Sequence, residues 1–257
     1  MGTLTEVTQD VLVATAQMYV TTSTVIRGRG GGCLVIDPAV SPGELAGLSA
    51  GLAGLGLRPV AGFSTHPHWD HLLWSRELGE VPRYGSSLAV EVAAAERTGL
   101  IEGVQESAPG HDLDLFARLT PLARPGRAIG WDGPEAMVIT HQGHAPGHSA
   151  VFLPGDGILV AGDMCSDLEI PLLDTDRPDP VGDYQAALDL FAALPVRQVI
   201  PGHGHVGDAP EFRSRIEADR RYLEALSRGS EPDDPRLATE WLAAEHRRQS
   251  AYLSGRT

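Results

Sequence analysis

The 257-residue sequence predicts a mixed α/β fold, and three observations carry that prediction. Val11 to Gln17, Thr21 to Arg27 and Cys33 to Ile36 are rich in β-branched residues and read as a meander of strands. From Ser41 onward, helical and extended patterns alternate, as they do where helices cover sheets. Four apolar runs then end in histidine or aspartate, and α/β folds place their sites at strand ends.

The elements can be justified in order. Gly28-Arg29-Gly30-Gly31-Gly32 lacks the trailing Lys-Ser/Thr and the following helix of a phosphate cradle, so it predicts a hairpin turn. Asp37 closes the third strand, either as a turn residue or as a carboxylate behind a site. Ser41-Pro42 supplies a cap and a first-turn proline for a helix with Leu45, Leu48, Leu52 and Leu55 on one stripe. Pro59 to Ser64 is a strand, Leu72 to Leu78 suits a helix starting at or just after Asp70, and Pro82 to Gly85 a short strand. An alanine-rich helix follows over about Ser87 to Thr98. Periodicity fades between Gly99 and Asp132, a stretch expected to shape a pocket rim, and His111 within it reads as part of a capping sequence. Ala136 to Thr140, Ile158 to Ala161 and Val196 to Ile200 are strands. Tyr184, Leu188, Phe191 and Leu194 form a helical face before the last of them. Beyond Asp208 a charged helix with Arg213, Arg215, Arg220 and Arg221 predicts a solvated face. Glu231 to Pro235 is a turn, and a last helix bears Trp241, Leu242 and Tyr252. The expected organisation is a single domain over residues 1–257, with a helical C-terminal extension from about 211.

Composition narrows the function classes. With 42% apolar and 21% charged residues the chain can build a sizeable core. The net charge is −14 and all 20 basic side chains are arginine, which disfavours nucleic acid, whose binding releases counterions from a basic face. There is no run of eighteen apolar residues and no basic start before an apolar segment, so neither a membrane partner nor a signal peptide is expected, and the location read from this is cytoplasmic. Cys33 and Cys165 match no Cys-x-x-Cys pattern, so no thiolate metal site is predicted.

The chemistry concentrates in His66-Pro67-His68-Trp69-Asp70-His71. Desolvating several imidazoles together is costly unless a cation gathers them. In an extended segment alternate residues share a side, which aims His66 and His68 at one centre while Asp70 and His71 begin the next turn; one metal fits this spacing and two fit it better. The other strand ends add His141, His144 and His148, then Asp163, then His203 and His205. Imidazole and carboxylate donors without thiolate suit Zn²⁺, and also Fe or Mn.

Together with Gly143-His144-Ala145-Pro146-Gly147-His148, Ala161-Gly162-Asp163 and Pro201-Gly202-His203-Gly204, that segment resembles the metallo-β-lactamase superfamily, nearer its glyoxalase II-like and lactonase-like branches. The resemblance implies a four-layer αβ/βα sandwich with metals at one edge of the sheets. It implies that His66, His68 and His144 hold a first metal, that Asp70, His71 and His203 hold a second, and that Asp163 bridges them. His148 and His205 are then expected behind the ligands or at the surface, and His141 receives no role. Two Zn²⁺ per chain would share a hydroxide, with Asp70 as the catalytic carboxylate, cleaving an ester, lactone or thioester bond of a neutral small molecule. The absence of lysine departs from the β-lactam and glutathione-thioester branches, and no tyrosine follows Asp163 as it often does in the lactonases. An iron-dependent sulfur oxygenase or a phosphodiesterase on the same scaffold is the alternative, and oligomeric state is left open.

Overall fold

The structure, a computed structural model, describes residues 4–122 and 128–255. Its first sheet joins β1 (Thr5–Glu6), β2 (Val11–Thr15), β3 (Thr22–Arg27), β4 (Gly32–Ile36), β5 (Arg58–Phe63), β6 (Arg83–Gly85) and β7 (Thr120–Pro121) in sequence order. The meander is antiparallel as far as β4, after which β4 to β7 run parallel. The second sheet has the order β12-β11-β10-β9-β8, built from β8 (Met137–Thr140), β9 (Ser149–Leu153), β10 (Ile158–Gly162), β11 (Gln198–Pro201) and β12 (Gly207–Asp208).

Strand alternation explains the layering. Val11, Val13, Leu34 and Ile36 point inward against Val151, Ile158, Val160 and Ile200 of the other sheet. Their neighbours Leu12, Ala14, Cys33 and Val35 face outward into a second core. Leu159 and Ala161 do the same on the second sheet. Both faces of both sheets are therefore apolar, and each outer face needs helices, since a fully buried aliphatic side chain is worth roughly 1.5–3 kcal/mol. Leu45, Leu48 and Leu52 of α1 (Pro42–Gly54), with α2 (Ser87–Ala95) and α3 (Arg97–Ser107), cover the first. The second is covered by α4 (Pro180–Ala192), α5 (Ala209–Ser227) and α6 (Glu240–Ser254). The result is the four-layer αβ/βα sandwich. No described helix is long and apolar enough to cross a membrane.

Local chemistry sets the helix starts. Ser41 Oγ accepts from the Glu44 amide at 3.3 Å while Glu44 Oε2 accepts from the Ser41 amide at 3.0 Å, a reciprocal cap before Pro42. Asp208 and Glu211 repeat the arrangement at α5.

Three expectations are corrected. Leu72 to Leu78 is not an α-helix: a 3₁₀ turn at Trp69–His71 precedes it and another, Arg76–Leu78, ends it. Leu72, Leu73 and Trp74 are buried one after another, so the exposed Arg76 and Glu77 do not alternate with them at helical spacing. The alanine-rich helix stops at Ala95, and a second helix, α3, continues to Ser107 through the region where periodicity fades; Val104 is its buried residue. Arg215 does not belong to a solvated face. It is 8% exposed, and its Nη1 donates to the carbonyls of Cys165 (3.3 Å) and His205 (2.9 Å), which closes the loops beneath α5.

Candidate metal centre

Strands β5, β8, β10 and β11 end at the same edge of the sandwich, and the loops after them bring seven predicted residues together. His66, His68, His144 and Asp163 form one donor group and Asp70, His71 and His203 a second; within each group the donor atoms lie within 4.8 Å of one another. His66 Nε2 is 3.0 Å and His144 Nε2 3.1 Å from His68 Nδ1. Asp163 reaches both groups: its Oδ2 lies 3.3 Å from His66 Nε2, 3.4 Å from His144 Nε2 and 3.2 Å from His203 Nε2, and its Oδ1 lies 3.2 Å from His71 Nε2. Asp70 Oδ2 is 3.3 Å from His203 Nε2 and 3.5 Å from His71 Nε2.

The far side of each ring fixes its tautomer. Thr65 Oγ1 donates its one proton to Asp37 Oδ2 at 2.6 Å, so at 3.0 Å it accepts from His66 Nδ1–H. His71 Nδ1–H donates to Asp37 Oδ2 at 3.0 Å, His144 Nδ1–H to the Leu172 carbonyl at 3.1 Å, and His203 Nδ1–H to the Tyr19 carbonyl at 3.1 Å. In the neutral form that a metal ligand takes, each of these four rings would present a bare Nε2 lone pair towards the others. Lone pairs about 3 Å apart repel unless a cation lies between them, and the buried Asp163 Oδ1, without a hydrogen-bond partner among the described residues, points to the same need. The donor set fits divalent metal ions.

Electrostatics agree. Burial pulls His71 and His203 down, yet the Asp163 carboxylate, joined at His71 by Asp70 and Asp37, outweighs it and holds both well above the usual range for histidine. Burial raises Asp70 and Asp163, and the surrounding histidines more than reverse this. The cluster is thus built to keep carboxylates ionised where positive charge gathers.

Asp37 is therefore the carboxylate behind the site, as one of its two sequence readings allowed; it also accepts from the Thr65 amide at 2.8 Å. His148 is fully buried, behind the donor groups rather than at the surface: its Nε2 accepts from the Asp163 amide at 3.1 Å and its Nδ1 lies 3.0 Å from His141 Nε2. His141, given no role from sequence, thus steadies His148. Burial keeps both neutral, with His141 pushed down to about 3. His205 is exposed and pairs with Asp167 at 2.8 Å, and His111 donates to the Val40 carbonyl at 2.9 Å away from the centre.

A cleft of about 550 Å³ opens over the centre. Leu100, from the stretch expected to shape a pocket rim, lines it together with Trp69. Sequence reasoning missed the opposite wall, made by Trp241, Glu245 and Arg248 of α6 with Glu169 and Leu172 to Asp176. Trp241 among charged residues on the last helix is the one signal that could have suggested it.

The family model for the metallo-beta-lactamase superfamily matches residues 18–203, most of the chain and every residue of both donor groups. The chain belongs to the metallo-beta-lactamase superfamily. A hydroxyacylglutathione hydrolase from Synechococcus sp. (strain JA-3-3Ab) is 32% identical over 129 residues, 50% of this chain and 42% of the relative. A probable metallo-hydrolase, YflN, from Bacillus subtilis is 29% identical over 129 residues, 45% of this chain and 48% of the relative. These matches span less than half the length of either relative. A solved metallo-beta-lactamase family protein from Thermus thermophilus superposes with a TM-score of 0.66 at 22% identity, covering 96% of this chain and 91% of that one. The sec-alkylsulfatase Pisa1 from Pseudomonas sp. gives 0.69 at 18% identity over 89% of this chain and 42% of that one. At such identities the superfamily fold is what these two neighbours share with this chain.

Proposed function

We propose that this chain is a metal-dependent hydrolase that cleaves an ester, lactone or thioester bond of a small molecule, acting as a single domain. One observation carries the reading: two donor groups share Asp163 on the floor of a cleft large enough for a small organic substrate. His66, His68 and His144 would hold one ion, Asp70, His71 and His203 the other, and Asp163 both; the preferred occupant is Zn²⁺ at two per chain. Such a pair supplies Lewis acidity and an acidified water. The remaining work falls to the chain's own groups. Asp70 lines the cleft as well as the second donor group, so it is the carboxylate placed to accept a hydrogen bond from the attacking water and orient it. Asp37, Thr65 and the Leu172 and Tyr19 carbonyls hold the imidazoles in one tautomer throughout. Trp69, Leu100 and Leu172 exclude water from the acyl group.

Cys165, two residues past Asp163, does not compete with this scheme as a nucleophile. The Cys165 thiol is fully buried, and desolvation pushes it well above its ordinary range. The test is elemental analysis after gentle chelation and reloading, paired with hydrolysis of uncharged esters, lactones and thioesters. About two equivalents of metal per chain and chelator-sensitive turnover are expected. A reproducible single equivalent at saturating zinc would sink the two-metal assignment, and cleavage confined to phosphodiesters would sink the acyl one.

A further inference from the structure

The cleft's free charges are all of one sign. Apart from the donor groups its ionisable lining comprises Glu96, Glu169, Asp174, Asp176, Glu245 and Arg248. The one cation among them is already taken, since Arg248 Nη2 lies 2.8 Å from Glu245 Oε2. Glu169 is different in kind. Its backbone is clamped: Ser166 Oγ accepts from the Glu169 amide at 3.0 Å, and the buried Arg236 donates to the Glu169 carbonyl at 2.7 Å. Its half-buried carboxylate has no hydrogen-bond or ion-pair partner among the described residues and belongs to neither donor group. Asp174 also lines the cleft; its Oδ1 accepts from the Asp176 amide at 3.2 Å, and its buried Oδ2 has no hydrogen-bond partner among the described residues. A protein that fixes the backbone and leaves the carboxylate bare has kept an acceptor for something that enters the cleft.

The second observation is aromatic. Two of the exposed large apolar side chains, Tyr19 (54%) and Trp241 (53%), line this cleft, and Tyr19 packs edge-on to Trp69 with ring centroids 6.4 Å apart. Aromatic faces and unpaired carboxylates in one pocket are the chemistry that recognises an alkylammonium group. Resting on the hydrolase reading above, we propose that the substrate carries, beyond its uncharged acyl bond, an ammonium group that Glu169 and Asp174 hold while Trp69 and Trp241 cover its carbon skeleton. An anionic conjugate would meet only like charge at this wall.

Two measurements on the zinc-loaded full chain test this. The first is calorimetric binding of hexyltrimethylammonium, which cannot ligate a metal, against the uncharged hexanol. The second is the ratio of kcat/KM for 2-(trimethylammonio)ethyl acetate over its uncharged isostere 3,3-dimethylbutyl acetate. Both should favour the cation by about tenfold, equivalent to about 1.4 kcal/mol. In Glu169→Gln both preferences should fall toward one, and in Asp174→Asn they should fall part of the way; metal content and circular dichroism confirm that each variant is folded and loaded. Equal binding and equal turnover of cation and isostere, or preferences untouched in both variants, overturn the proposal. Should neither ester be cleaved, the hydrolase reading is what fails, and the binding preference still decides this inference.

Discussion

The floor and the outer wall of the cleft are built in opposite ways. The floor is made of loops leaving four strands within a few residues of their ends, and a layer of buried polar contacts from Asp37, Thr65, His141 and His148 locks them. The wall comes from α6 and residues 169–176, which meet through distant packing: Gln249 Oε1 accepts from the Leu173 amide at 2.7 Å, and its Nε2 donates to the Pro171 carbonyl at 3.2 Å. The floor imidazoles of His66, His71, His144 and His203 have their Nδ1 atoms committed behind them, whereas among the described residues the wall carboxylates Glu169 and Asp174 keep oxygens without a hydrogen-bond partner. The contrast separates the two tasks: a floor fixed to fractions of an ångström suits chemistry, and a wall with open acceptors suits substrate choice.

The sharpest way to break the comparison is to strike where the floor's two halves join. Asp163→Ala removes the one carboxylate that touches both donor groups, so it should lose metal from both and cost turnover well beyond the roughly 10–100-fold typical of a supporting residue. Elemental analysis and activity on one sample check this. Retention of both equivalents would mean that Asp163 does not bridge.

Gly202→Ala should come next. A Cβ there would lie 2.0 Å from Asp163 Oδ1 and 3.0 Å from His71 Cε1, so the bridging carboxylate must move. We expect roughly 100-fold loss of turnover with the fold retained, measured as kcat alongside a thermal melt. Ordinary activity would show the floor to be softer than its packing implies.

How much was legible follows from the same division. The seven candidate donors all lie within eight residues of the strand ends Phe63, Thr140, Gly162 and Pro201, so local sequence carries their placement. His148 was left between a supporting place and the surface because its role depends on the Asp163 amide 15 residues away, and Arg215 was misread because the carbonyls it serves lie 10 and 50 residues off. The helix expected at Leu72 to Leu78 failed for a related reason: its apolar residues are all buried and leave no period to read. The wall of Trp241 and Glu245 needed α6 to be folded against residues 169–176 before it could be seen at all.

The histidines sharpen the contrast. His148→Ala leaves the Asp163 amide without its acceptor and a cavity beside His66, so metal affinity should fall about 10–100-fold. His205→Ala removes an exposed pair with Asp167 and should change affinity by less than about twofold. Competition with a zinc chelator reads both; equal losses would erase the distinction between a buried support and a surface histidine. On the wall, Trp241→Ala should raise KM several-fold at unchanged metal content, roughly 1 kcal/mol of lost apolar cover, because the ring is half exposed and touches no donor group. A loss of metal in that variant would tie wall to floor more closely than their packing does.

The smallest effect is expected at Cys165, which lies two residues past Asp163 and yet belongs to neither region. Its side chain is 0% exposed in the core between the second sheet and its helices. Desolvation, reinforced by the Asp219 carboxylate and opposed by Arg215 and Arg236, holds the thiol protonated far above neutral pH, so it is neither nucleophile nor ligand. Cys165→Ala should keep turnover within about twofold, at a stability cost of roughly 1 kcal/mol for the lost packing. In the unaltered protein neither Cys165 nor the buried Cys33, whose thiol burial pushes up to about 12, should react with iodoacetamide at pH 8 until the chain is unfolded. Peptide mass spectrometry after a timed exposure measures this. Rapid alkylation of Cys165 in the folded protein, with loss of turnover, would place a reactive thiol at the floor and replace the water-based chemistry with a covalent one.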